Sequence, residues 1–217
     1  MNVRVKICCI SSVQEANMAI QAGASALGLV AEMPSGPGVI SDALIADIAS
    51  HIPPGVSAFL LSSRTSAKSL IAHQQATGAD TIQIVDKLSE GTHQDIRKAL
   101  PGIKIVQVLH VLDESAIQEA KELEGKVDAI LLDSGNPNKA VKELGGTGRQ
   151  HNWAISKQIV EAVNTAVFLA GGLKASNVQE AIHTVKPYGL DLCSGVRTNG
   201  QLDLTKLQHF FQAIREA

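Results

Sequence analysis

A short aliphatic run, a polar loop and an amphipathic helix, repeated eight times, is the pattern that most restricts what this chain can fold into. The aliphatic runs fall at Arg4–Cys8, Ala26–Val30, Ser57–Leu61, Thr81–Val85, Lys104–Leu109, Ala129–Leu132, Val167–Ala170 and Gly189–Cys193. Helical patterns cover Val13–Ala22, Asp42–His51, Ser66–Thr77, Gln94–Leu100, Glu114–Glu122, Ala154–Asn164, Ala175–Val185 and Leu204–Glu216. Strands that alternate with helices throughout call for a parallel sheet, since each crossover returns the chain to the end it left. Eight right-handed crossovers close most naturally into a TIM (β/α)8 barrel, whereas an open doubly wound sheet commonly uses fewer strands. Helix-start chemistry agrees: Ser11 or Ser12 precedes the first helix, Ser41 the second and Asp113 the fifth. Gly23, Gly78 and Gly125 stand where left-handed caps would end helices. No linker, low-complexity segment or charge block interrupts the pattern, so residues 1–217 read as one barrel domain.

Composition narrows the function. A formal net charge of -2 and a pI near 6.4 give no general affinity for polyanions, which argues against nucleic acid as a partner. No apolar run approaches the roughly 20 residues that a membrane helix needs. Met1-Asn2-Val3-Arg4 runs straight into a strand without a signal-peptide core, and three cysteines, two of them adjacent, make no disulfide framework. These features suit a reducing cytoplasm. Nothing in the chain specifies an oligomeric state beyond monomer or homodimer.

Chemistry-bearing residues collect at strand ends. Alternation puts Arg4, Lys6 and Cys8 on one face of the first strand and Val5, Ile7 and Cys9 on the other. A thiol close to an ammonium group has its thiolate stabilised, which makes Cys8 a candidate base, while Cys9 reads as a small buried hydrophobe. Free cysteines are often buried, so a purely structural role for both is the competing reading. Asp133 follows three aliphatic residues at the end of the sixth strand, where it would face Cys8 as an acid; a loop hydrogen bond is the plainer alternative. Asp191, on the strand that neighbours the first in a closed barrel, is a candidate partner for Lys6. Gly171-Gly172 and Ser194-Gly195 end the seventh and eighth strands, the positions from which barrels often bind phosphate through backbone N–H groups. Two long loops, Ala31–Ile40 and Ser134–Asn152, lie over the same end, and Gly145-Gly146-Thr147-Gly148 in the second is a candidate flap.

These segments together resemble the phosphoribosylanthranilate isomerase family of tryptophan biosynthesis, nearly end to end. The resemblance is carried by Lys6-Ile7-Cys8-Cys9-Ile10-Ser11, Gly23 to Gly28, Ile130-Leu131-Leu132-Asp133, Gly145-Gly146-Thr147-Gly148 with Trp153, Ala170-Gly171-Gly172-Leu173 with Asn177-Val178, and Asp191 to Val196. It implies a cofactor- and metal-free Amadori rearrangement of a small phosphorylated sugar-amine. Asp133 would protonate the furanose oxygen and Cys8 would remove the C2′ proton; Gly171, Gly172, Ser194 and Gly195 would hold the phosphate. Lys6, Gln83, Gly146 and Asp191 are further substrate-binding candidates. Three departures bear on the aglycone. Cys9 stands where the family has glycine, Gly38 where it has an arginine for the anthranilate carboxylate, and Val85-Asp86 where it has His-Gly. Arg64, beyond the third strand, is a candidate replacement cation, with Lys87 a weaker one; His110 is a candidate to face the site. The losses also admit another phosphoribosyl amine as substrate, or a non-catalytic sugar-phosphate-binding barrel.

Overall fold

The computed structural model describes residues 3–217. Eight parallel strands close into a barrel in sequence order: β1 (Arg4–Ile7), β2 (Ala26–Val30), β3 (Ser57–Ser62), β4 (Thr81–Ile84), β5 (Lys104–His110), β6 (Ala129–Asp133), β7 (Ala166–Leu169) and β8 (Gly189–Leu192). Closure is made by β1, which pairs Lys6 with Ala26 on one side and Lys6 with Asp191 on the other. The surrounding helices are α1 (Val13–Ala22), α2 (Asp42–Ser50), α3 (Ala67–Thr77), α4 (His93–Ala99), α5 (Ser115–Leu123), α6 (Trp153–Ala162), α7 (Val178–Val185) and α8 (Leu204–Arg215). A single 3-10 turn, Ser194–Val196, follows β8 and leads into a small hairpin of β9 (Arg197–Thr198) and β10 (Gln201–Leu202).

Strand alternation sorts the core into two layers. Ile7, Leu27, Leu29 and Leu60 point outward under the helices, as do Ile82, Ile84, Ile105 and Ile130 further round. Ala26, Phe59, Val106, Val108, Leu131 and Phe168 point inward and fill the lumen. Phe59 and Phe168 meet edge to face at 6.1 Å, and Gly189 is bare because a Cβ there would lie 2.4 Å from Phe168 Cε1. The interior is therefore packed at its base, and a cavity opens at the C-terminal mouth.

The strand ends differ from the sequence pattern in a way that matters for the site. β1, β4, β7 and β8 stop one residue early, leaving Cys8, Val85, Ala170 and Cys193 at loop starts, while β6 extends to include Asp133. Ser12 caps α1 by accepting from Glu15 N, and Ser41 caps α2 by accepting from Leu44 N. The fifth helix corrects the expectation for Asp113: Glu114 is its N-cap residue, with no side-chain cap, and Asp113 accepts from Ser115 N in a tight turn before it. α7 begins at Val178 rather than Ala175, because Asn177 uses both ends of its amide on the preceding loop. Its Oδ1 accepts from Lys174 N and its Nδ2 donates to Gly172 O.

Candidate active site

A cavity at the C-terminal mouth is lined by Cys8, Asp133 and Asp191 on the barrel strands and their ends, and by Gly171, Gly172 and Ser194 beyond β7 and β8. Cys8 and Asp133 are both buried, at 6% and 7% exposure, and both reach this one hollow. Asp133 Oδ1 accepts a 2.7 Å hydrogen bond from Ser134 N. Burial pushes the Asp133 carboxyl above the ordinary aspartate range; the Ser134 N–H and the nearby His110 only partly offset it. A carboxyl held in that way retains its proton to higher pH, as an acid catalyst must.

Lys6 lies below the floor, fully buried, with Nζ 2.8 Å from Asp191 Oδ1 and 5.4 Å from the centre of the Phe59 ring. Burial works to lower the Lys6 pKa, but the Asp191 carboxylate and the Cys8 sulfur next to it raise it well above the usual lysine value. The ammonium is thus fixed beside Cys8. Lys6 does not line the cavity, which corrects its expected place as a substrate ligand: its charge is spent on Asp191 and its contact is with the groups underneath. Gly28 on β2 makes that grouping possible. A Cβ there would lie 2.8 Å from Cys8 Sγ and 3.0 Å from Lys6 Nζ, so the thiol and the amine share the space that a side chain would take.

Cys9 does not follow the outward face that alternation predicts. β1 has already ended, and Cys9 turns with φ 64° into the left-handed region, which brings its side chain to the cavity wall beside Cys8. Its Sγ contacts Pro37 O at 3.6 Å. Glu15 and the chain-distant Arg197 hold this exit. Arg197 Nη1 and Nη2 bind Glu15 Oε1 and Oε2 at 2.9 and 3.0 Å, and Arg197 Nη2 donates to the carbonyls of Cys8 and Cys9. Glu15 also accepts from Leu202 N at 2.8 Å and from Ser11 N and Oγ. Burial alone would raise the Glu15 pKa, yet Arg197 and the two backbone N–H groups bring it below the ordinary glutamate range. Neither residue stood out in the sequence; Glu15 three residues after the Ser12 cap was the one available signal.

The glycine rim divides into two roles. Gly171 and Gly172 have φ 85° and 66° and line the cavity, together with Ser194 at the start of the 3-10 turn. Gly195 does not line it: a Cβ there would lie 2.0 Å from Leu173 O, so its missing side chain serves the packing of the β7 loop on the β8 loop. The two long loops meet above. Gly146 packs on Pro37, where a Cβ would be 2.5 Å from Pro37 Cδ, and Ser35 Oγ donates to Lys142 O at 2.6 Å. Gly148 approaches Ser194 Oγ, which brings the flap over the glycine rim.

Gln83 lines the cavity from β4, and its buried Oε1 has no partner within the protein. Arg64 does not reach it. The guanidinium instead lies in a separate groove, donating to Ser69 O at 3.1 Å and facing Asp42 at 3.7 Å, because the loop after β3 turns toward the starts of α2 and α3. Lys87 is likewise turned away, to Glu119 at 2.7 Å. His110 is not on the cavity wall: Nε2 lies 3.2 Å from Val85 O, and burial keeps the ring below the ordinary histidine range.

A closed (β/α)8 barrel with a carboxyl, a thiol and a glycine rim gathered at its C-terminal mouth belongs to the class of barrel enzymes built to handle phosphorylated sugars by acid–base chemistry. Residues 5–213 match the family model described as N-(5′-phosphoribosyl)anthranilate (PRA) isomerase, and the chain belongs to that family. It is 36% identical over 210 residues to N-(5′-phosphoribosyl)anthranilate isomerase 2 of Methanosarcina mazei, covering 96% of this chain and 92% of that protein. It is 33% identical to the Methanosarcina acetivorans isomerase, over 99% of this chain and 94% of that one. Among solved structures, the phosphoribosyl anthranilate isomerase of Thermotoga maritima superposes with a TM-score of 0.80 at 24% identity, covering 99% and 100% of the two chains. An isomerase crystallised with reduced 1-(o-carboxyphenylamino)-1-deoxyribulose 5-phosphate superposes with a TM-score of 0.78 at 22% identity, again over 99% and 100%. No helix among the described residues is long and apolar enough to cross a membrane.

Proposed function

We propose that this chain isomerises N-(5′-phosphoribosyl)anthranilate to 1-(o-carboxyphenylamino)-1-deoxyribulose 5-phosphate, with Asp133 as general acid and Cys8 as general base. The observation that carries the reading is that a buried carboxyl with a raised pKa and a thiol set beside a fixed ammonium open into one hollow rimmed by Gly171, Gly172 and Ser194. Asp133 gives its proton to the furanose ring oxygen as the C1′–O bond breaks, and the amine lone pair forms the C1′=N bond of an open-chain iminium. Cys8 removes the C2′ proton, that electron pair forms the C1′=C2′ bond, and the C1′=N π pair returns to nitrogen, giving an enolamine. The C2′ hydroxyl then loses its proton as C1′ gains one, leaving the ketone.

In this reading the backbone of Gly171 and Gly172 and the Ser194 turn hold the phosphate, with the exposed Lys174 on the same rim. Gln83 offers an unpaired amide oxygen to a hydroxyl of the sugar chain. Asp191 orients Lys6, which sets an ammonium beside the Cys8 sulfur. The test is loss of substrate fluorescence on mixing with phosphoribosylanthranilate. Cys8→Ala and Asp133→Asn are each expected to lower kcat by roughly 10²–10⁴-fold, the usual worth of a positioned acid or base, with far-UV circular dichroism unchanged. Wild-type turnover in either variant removes the mechanism.

A further inference from the structure

The half of the mouth remote from the glycine rim is lined by Val30, Met33, Pro37, Leu61, Val85 and Leu144. No lysine, arginine or histidine lines the cavity anywhere among the described residues, whereas two carboxyl groups, Asp133 and Asp191, do. Most cations around this end face a carboxylate. Arg64 faces Asp42, Lys87 binds Glu119, Lys139 and Arg149 bind Glu143, Lys142 binds Asp86 and Arg197 binds Glu15. Lys6 is sealed under the floor on Asp191, and Lys174 stands on the opposite rim with the phosphate glycines. The β2 loop has no cation at all, and position 38 cannot supply one. Gly38 has φ 79°, and a Cβ there would lie 2.4 Å from Cys9 Cβ and 3.0 Å from Cys9 Sγ. The Cys9 side chain occupies the space from which a side chain at 38 would start.

We infer that this subsite recognises the amine portion of its substrate as a neutral arene, and that phosphoribosyl arylamines without a carboxylate are bound and isomerised as well as the anthranilate compound. An aryl carboxylate would leave water for an apolar wall with no side-chain cation to meet it. A neutral ring loses nothing there and buries its faces against Met33, Pro37 and Leu144. The inference rests on the isomerase reading of the same cavity.

The experiment compares two pairs of compounds with the wild-type chain. The first pair is the reduced, unreactive arylamino-deoxyribulose phosphates bearing o-carboxyphenyl or phenyl, with Kd measured by calorimetry. The second is phosphoribosylanthranilate and phosphoribosylaniline, with kcat/KM measured by product formation. The expected result is a Kd ratio and a kcat/KM ratio within about threefold of one, or favouring the phenyl compound. A preference of about tenfold or more for the carboxylate form, the discrimination a charge-assisted pair would give, overturns the inference. Matched binding of the reduced pair with no turnover of either substrate keeps the neutral-arene subsite and removes the isomerase reading instead. Met33→Arg, which places a cation on the same wall at similar side-chain length, is expected to create a carboxylate preference of roughly tenfold. Should that variant fail to fold by circular dichroism, the wild-type ratios decide the matter.

Discussion

Gly28 shows how far a single absent side chain can govern this mouth. The β2 strand must pass Cys8 Sγ and Lys6 Nζ at a separation that leaves no room even for a methyl group. Gly28→Ala is therefore expected to displace the thiol, the amine or both by a fraction of an ångström to an ångström. Misplacement on that scale costs on the order of 10²-fold in kcat, with a smaller loss of stability of about 1–3 kcal/mol from overpacking. Steady-state kinetics together with urea unfolding separate the two, and an unchanged kcat would mean that Cys8 is not placed by this contact. Cys8 and Asp133 were legible in the sequence because each ends an aliphatic run, and a barrel exposes its strand ends at one mouth. The role of Gly28 was not, since a glycine within a strand pattern names no neighbour. Cys9 departs from alternation for a definite reason: alternation holds only while the strand lasts, and Cys9 takes a left-handed turn two residues beyond its last residue, Ile7.

At the level of elements, the exit of β1 is built by α1 and the β9–β10 hairpin rather than by its own strand. Glu15 on α1 and Arg197 on β9 form a two-pronged pair that also holds the carbonyls of Cys8 and Cys9. Removing one member leaves the other charge buried, so Arg197→Met is expected to cost about 3–5 kcal/mol in denaturant unfolding and to lower kcat by disturbing Cys8. A loss below about 1 kcal/mol would show the pair to be dispensable. The same pair sets a pH dependence. Because folding depresses the Glu15 pKa, its contribution is complete above the unfolded glutamate pKa and fades as pH falls through the lower folded value. Wild-type stability should therefore decline more steeply below pH about 4 than that of Glu15→Gln, measured by thermal melts across the acid range. Local rules read these elements unevenly. Ser12 and Ser41 cap as their types suggest, while Asp113 and the start of α7 depart from pattern because nearby backbone groups claim the side chains first.

On the scale of the whole molecule the barrel was legible throughout, since eight repeats of one unit leave few ways to close a sheet. The arrangement of the long loops was not, because loop sequences rich in glycine and proline carry no period. They lean on each other at Pro37 and Gly146 and through Ser35 and Lys142, and so roof the cavity. Gly146 combines φ 68° with contact against Pro37, so Gly146→Ala is expected to hold the roof apart. The measurable outcomes are a KM raised several-fold and faster proteolytic nicking within 134–152; unchanged values for both would show that the loops do not act together.

The ring has a seam, and the seam lies beside Cys8. Cys8 hangs from the first strand, yet that strand is paired on one flank by the last and its exit is clasped by an arginine 188 positions downstream of Cys9. The thiol is made long before β8 and Arg197, and it has no address until those later segments are in place. A fragment that stops short of β8 and Arg197 would carry Cys8 without the contacts that aim it.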